Sequence, residues 1–93
     1  MEELEQLGAH VRQWRILLGL SQELAAERAD ISLPTWRRIE RGEPGVKMAS
    51  FMSAASVLGL APRLVGATDP LETDLGKLRA PLLGRQRARR RDV

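Results

Sequence analysis

Between Gly19 and Gly42 the chain carries two complete sets of helix start and stop signals. Ser21 offers a hydroxyl to orphan backbone N–H groups at the head of a short helix, Gln22 to Ala29. Asp30-Ile31 then makes a tight turn, and Ser32 can cap a second helix that runs to about Arg41 and stops at Gly42. Pro34 falls in the first turn of that helix, where a missing N–H breaks no intrahelical bond. Gly19, free to take positive φ, closes whatever helix precedes the pair. Helices this short are not stable alone in water, so the rest of the chain must supply a core for them.

The two faces of the second helix differ in kind. Leu33, Trp36, Ile39 and Glu40 share one side at helical spacing, while Pro34, Arg37, Arg38 and Arg41 share the other. A charged helical face is ordinarily just solvated. An arginine-rich face on a capped helix that follows a short helix and a tight turn is also what insertion into a DNA major groove requires.

Gly-Leu-Ser-Gln at 19–22, Ala-Glu-Arg-Ala at 26–29, Ile-Ser at 31–32 and Arg-Ile-Glu-Arg-Gly at 38–42 resemble the Xre/lambda-repressor-like helix-turn-helix family. The likeness reaches back through Val11-Arg12 and Arg15 and forward through Pro44 to Leu60. It implies an all-α fold: a compact helical bundle of four to five helices, with a short C-terminal extension. The expected organisation is a helix-turn-helix DNA-binding domain at 1–61, an extension at 62–83 serving dimer or partner contact, and a disordered basic tail at 84–93.

Composition narrows the functions. The 93 residues suit one small domain with a modest core. With no cysteine there is no disulfide framework, thiolate metal site or cysteine nucleophile, and a reducing cytosol is suited. No apolar run reaches transmembrane length, and Met-Glu-Glu-Leu-Glu carries the wrong charge for a signal peptide. His10 is the lone histidine, more often a surface residue than a base or ligand, and no Gly-rich loop precedes Lys-Ser or Lys-Thr. No enzyme activity, cofactor or metal is expected. The net charge of +3 is uneven: residues 82–93 hold five arginines and one aspartate, which leaves ten basic and eleven acidic residues in 1–81. Affinity for phosphate must therefore come from local placement, with the tail adding a non-specific contribution.

Along the chain, Leu4, Leu7, Val11, Trp14 and Leu18 recur at three- and four-residue steps and predict a first helix over 2–18. Glu2, Glu3 and Glu5 occupy its first turn, favourable for the helix dipole. The resemblance implies that Arg15 pairs with Glu40 as a structural ion pair. The family pattern is polar where Leu24 stands, leucine where Ala25 stands, isoleucine where Trp36 stands and glycine where Asp30 stands. Trp36 is accordingly expected to fill the space over Ala25, leaving Leu24 partly exposed, a volume-conserving swap. Asp30 tolerates the left-handed conformation better than most residues. After a loop at 42–45, a fourth helix is predicted from about Lys47 to Leu58, with Met48, Phe51, Ala55 and Leu58 on its core face. Arg63-Leu64-Val65 reads as a small strand. Asp69-Pro70-Leu71-Glu72 reads as a helix start leading Leu71, Leu75 and Leu78 along one side before Pro81.

Glu-Arg-Gly-Glu-Pro-Gly-Val at 40–46, Asp-Pro with Asp-Leu-Gly at 69–76 and the basic end resemble HipB-like antitoxins and regulators encoded beside HipA-like serine/threonine kinases. The resemblance implies a cytoplasmic, nucleoid-associated homodimer on a palindromic double-stranded DNA operator, with a HipA-like kinase toxin as a further partner and no membrane association. Gln22 and the N–H groups beside it would grip a phosphate, Ser32 and Thr35 would meet backbone or bases, and Arg38 aligns with a base-reading position. Arg37 is equally suited to a phosphate, Arg41 belongs to the same edge, Leu33 and Pro34 stand where polar readers are usual, and Lys47 is a candidate phosphate contact whose plain alternative is solvation. Two other readings stay open: a free-standing regulator without a toxin, and a helical protein-binding adaptor on the same scaffold.

Overall fold

The structure is a computed structural model that describes residues 1–85. Those residues are helical or in turns, with no strand: α1 (Glu2–Leu17), α2 (Gln22–Ala29), α3 (Leu33–Arg41), α4 (Met48–Val57), α5 (Ala61–Thr68), a 3-10 turn at Pro70–Glu72 and α6 (Asp74–Arg79). Residues 81–85 are helical as well. The chain divides into two units, Met1–Ala61 and a second beginning at Pro62.

In the first unit the caps form as their residue types require. Ser21 Oγ accepts from the Leu24 N–H at 3.0 Å, and Ser32 Oγ accepts from the Thr35 N–H at 3.2 Å. Asp30 ends α2 with φ 55, and Gly42 ends α3 with φ 67. The caps set the two short helices at a fixed turn, and the core fixes their faces. That core is Val11, Ala25, Ala26, Ala29, Trp36, Ile39, Ala54 and Leu58, with Phe51, Val46 and Leu60 packed against it. Trp36 is 0% exposed, the one large side chain to be fully buried among the described residues, and Ala25 beside it in the same cluster is also at 0%. Leu24 remains 37% exposed, so one large ring over a row of alanines takes the place of several mid-sized side chains.

Small residues also let α1 approach the end of α3 backbone to backbone. Gly8 is buried on α1, and a Cβ built there would lie 2.5 Å from the Ile39 carbonyl oxygen and 2.6 Å from that of Glu40. A Cβ on Gly42 would collide in turn with Leu4 O and the Glu5 backbone. The apolar stripe of α1 is correspondingly narrower than its spacing predicts: Val11 is buried, but Leu7 is 39% and Leu18 49% exposed. Leu18 lies at the C-cap, where the helix has ended. Met48 corrects another expectation. It stands in the first turn of α4, 81% exposed, on the rim of an apolar groove shared with Leu4, Leu7, Ile39, Val46 and Phe51, while Ala54 and Ala55 hold the core face.

In the second unit, the expected strand at 63–65 is the middle of α5. Pro62 enters a helix without loss when it stands in the first turn, and Thr68 Oγ1 donates to the carbonyls of Leu64 (3.3 Å) and Val65 (2.9 Å), closing the last turn. Asp69 does cap, but its carboxylate accepts from Leu71 N–H and closes a 3-10 turn in place of an α-helix. The helix starts later, where Thr73 Oγ1 accepts from Gly76 N–H at 3.0 Å. Gly76 permits that arrangement, since any Cβ there would strike the Pro70 carbonyl. Leu71 therefore lies in a turn, apart from Leu75 and Leu78 on α6, and all three are exposed. Helical residues at 84 and 85 displace the expected start of the disordered tail, and its remainder, 86–93, lies outside the described residues.

Replacing Gly8 by alanine must push α1 away from a carbonyl pair that cannot rotate aside. The expected loss is about 1–3 kcal/mol in denaturant unfolding despite alanine's better helix propensity. A variant as stable as the parent would show that the close approach is not required.

Candidate nucleic-acid interface

The exposed edge of α3 is held in place from behind by one carboxylate. Glu40 has a side chain only 4% exposed. Its Oε2 accepts from Arg15 Nε at 2.5 Å and from Trp36 Nε1 at 2.6 Å, and its Oε1 accepts from Gln22 Nε2 at 3.0 Å and Arg15 Nη2 at 3.2 Å. Arg15 also donates from Nη1 to the Leu20 carbonyl at 2.9 Å, which ties the connection between α1 and α2 into the same network. Burial by itself raises the Glu40 pKa. The hydrogen bonds from Arg15, Trp36 and Gln22, joined by the charge of Arg15, outweigh that and hold the carboxyl below its ordinary value of 4.5. Three helices thus donate to one anion, and the orientation of α3 within the unit follows from their convergence.

On the opposite side, Arg37, Arg38 and Arg41 are all exposed, and Pro34 with them. Their surroundings differ. Arg41 pairs with Glu43 in the following loop, an exposed contact that contributes about 0–1 kcal/mol and dissolves easily. Arg37 Nε donates to Gln22 Oε1 at 3.4 Å. Arg38 carries no ion pair among the described residues. No acidic residue stands in the first turn of α3, so the positive edge is not cancelled from within the helix.

The other sequence candidates fall into place around this edge. Ser32 and Thr35 occupy the head of α3 and are bonded to each other, Oγ to Oγ1 at 2.8 Å, so the cap uses atoms that also face outward from Ser32. Leu33 is half-buried. Gln22 sits in the first turn of α2 with its amide nitrogen committed to Glu40. Lys47 is exposed at the N-cap of α4, away from the arginine edge in sequence and without a side-chain cap hydrogen bond.

Sequence reading missed two participants. The indole N–H of Trp36 follows from its spacing: a residue four positions before Glu40 on one helix is within reach of it. The part played by Gly8 had no such signal, because a lone glycine in a helical pattern reads only as a weak position.

Residues 6–67 match the family model described as "Helix-turn-helix domain", a span of two thirds of the chain that contains α2 to α4 whole and most of α1. None of the curated proteins and none of the solved structures matches the chain. No helix among the described residues is long and apolar enough to cross a membrane.

Because the folded-state pKa of Glu40 is depressed, its contribution to stability is present above its ordinary value near 4.5 and is lost as pH falls through the lower folded value. Glu40→Gln is expected to lower stability by roughly 3–5 kcal/mol at neutral pH, since Arg15 is left buried without its counter-charge. It should also flatten the acid limb of a urea-midpoint profile taken from neutral pH to about 3. An acid limb identical in the two proteins would mean that other carboxylates govern it.

Proposed function

The chain belongs to the helix-turn-helix domain family, and from that premise we propose that it is a sequence-specific double-stranded-DNA-binding repressor that acts as a homodimer. The observation that carries the proposal is the arginine edge of α3, exposed along its length while the opposite side is locked to α1 and α2 through Glu40. A rigid helix with one open cationic edge suits the major groove, and two copies would place such helices about 34–36 Å apart on a palindromic operator. Arg38, exposed and without an ion pair among the described residues, is the base reader in this reading, with a bidentate pair to guanine as its natural contact. Arg37, Arg41, Gln22, Ser32, Thr35 and Lys47 supply backbone and flanking contacts, and Leu33 and Pro34 offer only apolar contact or a response to groove shape.

We further propose that it serves as the antitoxin of a HipA-like kinase and represses their shared promoter. This finer reading is supported by the likeness of 40–46 and 69–76 to HipB-like antitoxins, together with Leu71, Leu75 and Leu78 exposed in the second unit. Leu75 and Leu78 stand three positions apart on α6, and Leu71 is exposed in the turn before it, so the short unit leaves apolar side chains open to a partner. If no kinase-sized protein co-purifies with the chain expressed from its native gene neighbourhood, the free-standing regulator takes the place of the antitoxin.

DNA reading is tested by selection of preferred duplexes from a random pool, followed by a salt titration. The chain should enrich one sequence and lose affinity steeply with salt. Arg38→Ala should erase preference at one base-pair position, at a cost of about 1–3 kcal/mol there. Enrichment of no sequence would leave the protein-binding adaptor as the remaining reading.

A further inference from the structure

The side chain of Gln22 bridges the buried anion and the exposed cationic edge, and its chemistry fixes which end faces which. Ionised Glu40 only accepts hydrogen bonds, so the atom turned toward it must be the amide NH2, at 3.0 Å. The carbonyl oxygen is thereby turned the other way, toward Arg37, whose Nε donates to it at 3.4 Å. A glutamine without the carboxylate behind it would be free to flip and present donors to a guanidinium, which cannot accept them. Glu40 thus sets the sense of the Gln22 amide, and the amide sets the pose of Arg37.

That pose has a direction. Holding Arg37 by Nε to a residue in the first turn of α2 brings its guanidinium to the side of α3 that faces α2. In helix-turn-helix docking the first of the two helices crosses the phosphate backbone while the second enters the groove. The terminal nitrogens of Arg37 carry no protein partner among the described residues.

We propose that Gln22 is a positioning residue for Arg37, and that the two form one backbone clamp in which Arg37 carries the charge to a DNA phosphate and Gln22 aims it. The inference rests on the DNA-binding reading above. It departs from a scheme in which Gln22 contacts phosphate for itself and Arg37 acts alone.

Salt dependence separates the two schemes because Gln22 is neutral. The full chain is titrated with salt on the duplex enriched from the random pool and on a scrambled duplex, as the parent, Gln22→Met, Arg37→Ala and the double variant. Arg37→Ala should reduce the slope of log affinity against log salt by about 0.9, the share of one phosphate contact, on both duplexes alike. Gln22→Met exchanges one uncharged side chain for another of similar length, yet should also reduce the slope, and the double variant should be no weaker than Arg37→Ala. If Gln22→Met weakens binding with the slope unchanged, or if the two losses multiply in the double variant, Gln22 does not aim Arg37 and the proposal falls while DNA reading stands. If the parent enriches no sequence, the reading beneath it falls as well. Should Gln22→Met melt early, the Arg37 Nε–H resonance of the folded parent and of Gln22→Ala decides: slowed exchange in the parent that disappears in the variant is expected, and equal exchange in both overturns the proposal.

Discussion

A single buried carboxylate governs how α3 is presented. Placing an anion in a protein interior is costly, and a well-packed apolar group of similar size often stabilises as much or more. What the apolar group lacks is direction. Glu40 draws a guanidinium from α1, an amide from α2 and an indole from its own helix, and each donor reaches it along a narrow range of angles. Rotation of α3 about its axis would stretch the bonds from α1 and α2 at once, while the indole moves with Glu40 and holds the carboxylate in its pose. The pair belongs to the geometry of the arginine edge more than to the stability of the unit.

The apolar core explains why such a fastening matters here. Five of its buried members are alanines, at 25, 26, 29, 54 and 55. Alanine permits close helix packing but interlocks poorly, because it has no rotamer to fit a facing groove. Trp36 fills the space the alanines leave, and its ring edge supplies the third donor to Glu40, so one side chain serves packing and orientation together. At the C-terminal end of α3, Gly8 and Gly42 bring backbones into contact where any side chain would intrude. The helix is therefore held at its middle by a large ring, along its inner edge by hydrogen bonds and at its end by the absence of side chains.

Much of this was legible because it depends on residues near in sequence. The caps at Ser21 and Ser32, the left-handed Asp30 and the split faces of α3 each follow from spacing within a few residues. The exchange between Trp36 and Ala25 was accessible by comparing volumes with a family pattern. Legibility failed where the determining contact is distant or where a short segment is ambiguous. Arg63-Leu64-Val65 suits a strand or a helix equally, and the hydroxyl of Thr68 closing on Leu64 and Val65 favours the helix. Asp69-Pro70 was correctly seen as a cap, yet the backbone crossing at Gly76 determines that a 3-10 turn follows it. The commitment of Gln22 to Glu40 spans 18 positions and has no local trace.

The arrangement also answers how a body with slightly more acidic than basic residues can address a polyanion. Uniform positive charge would attract any nucleic acid and discriminate little. Here three of the acidic residues, Glu2, Glu3 and Glu5, stand at the head of α1, whereas the first turn of α3 has none. Along the edge, Arg41 is partly neutralised by Glu43 and Arg37 is restrained by Gln22, which leaves Arg38 as the cation with no partner to desert among the described residues. A side chain that gives up nothing on reaching a base loses the least affinity in doing so, and a restrained neighbour surrenders less conformational freedom when it meets a phosphate. Under the proposed DNA reading, the three arginines, alike in charge, would be unlike in the free energy each must give up on binding, and that difference would let one edge of a nine-residue helix divide affinity from selectivity.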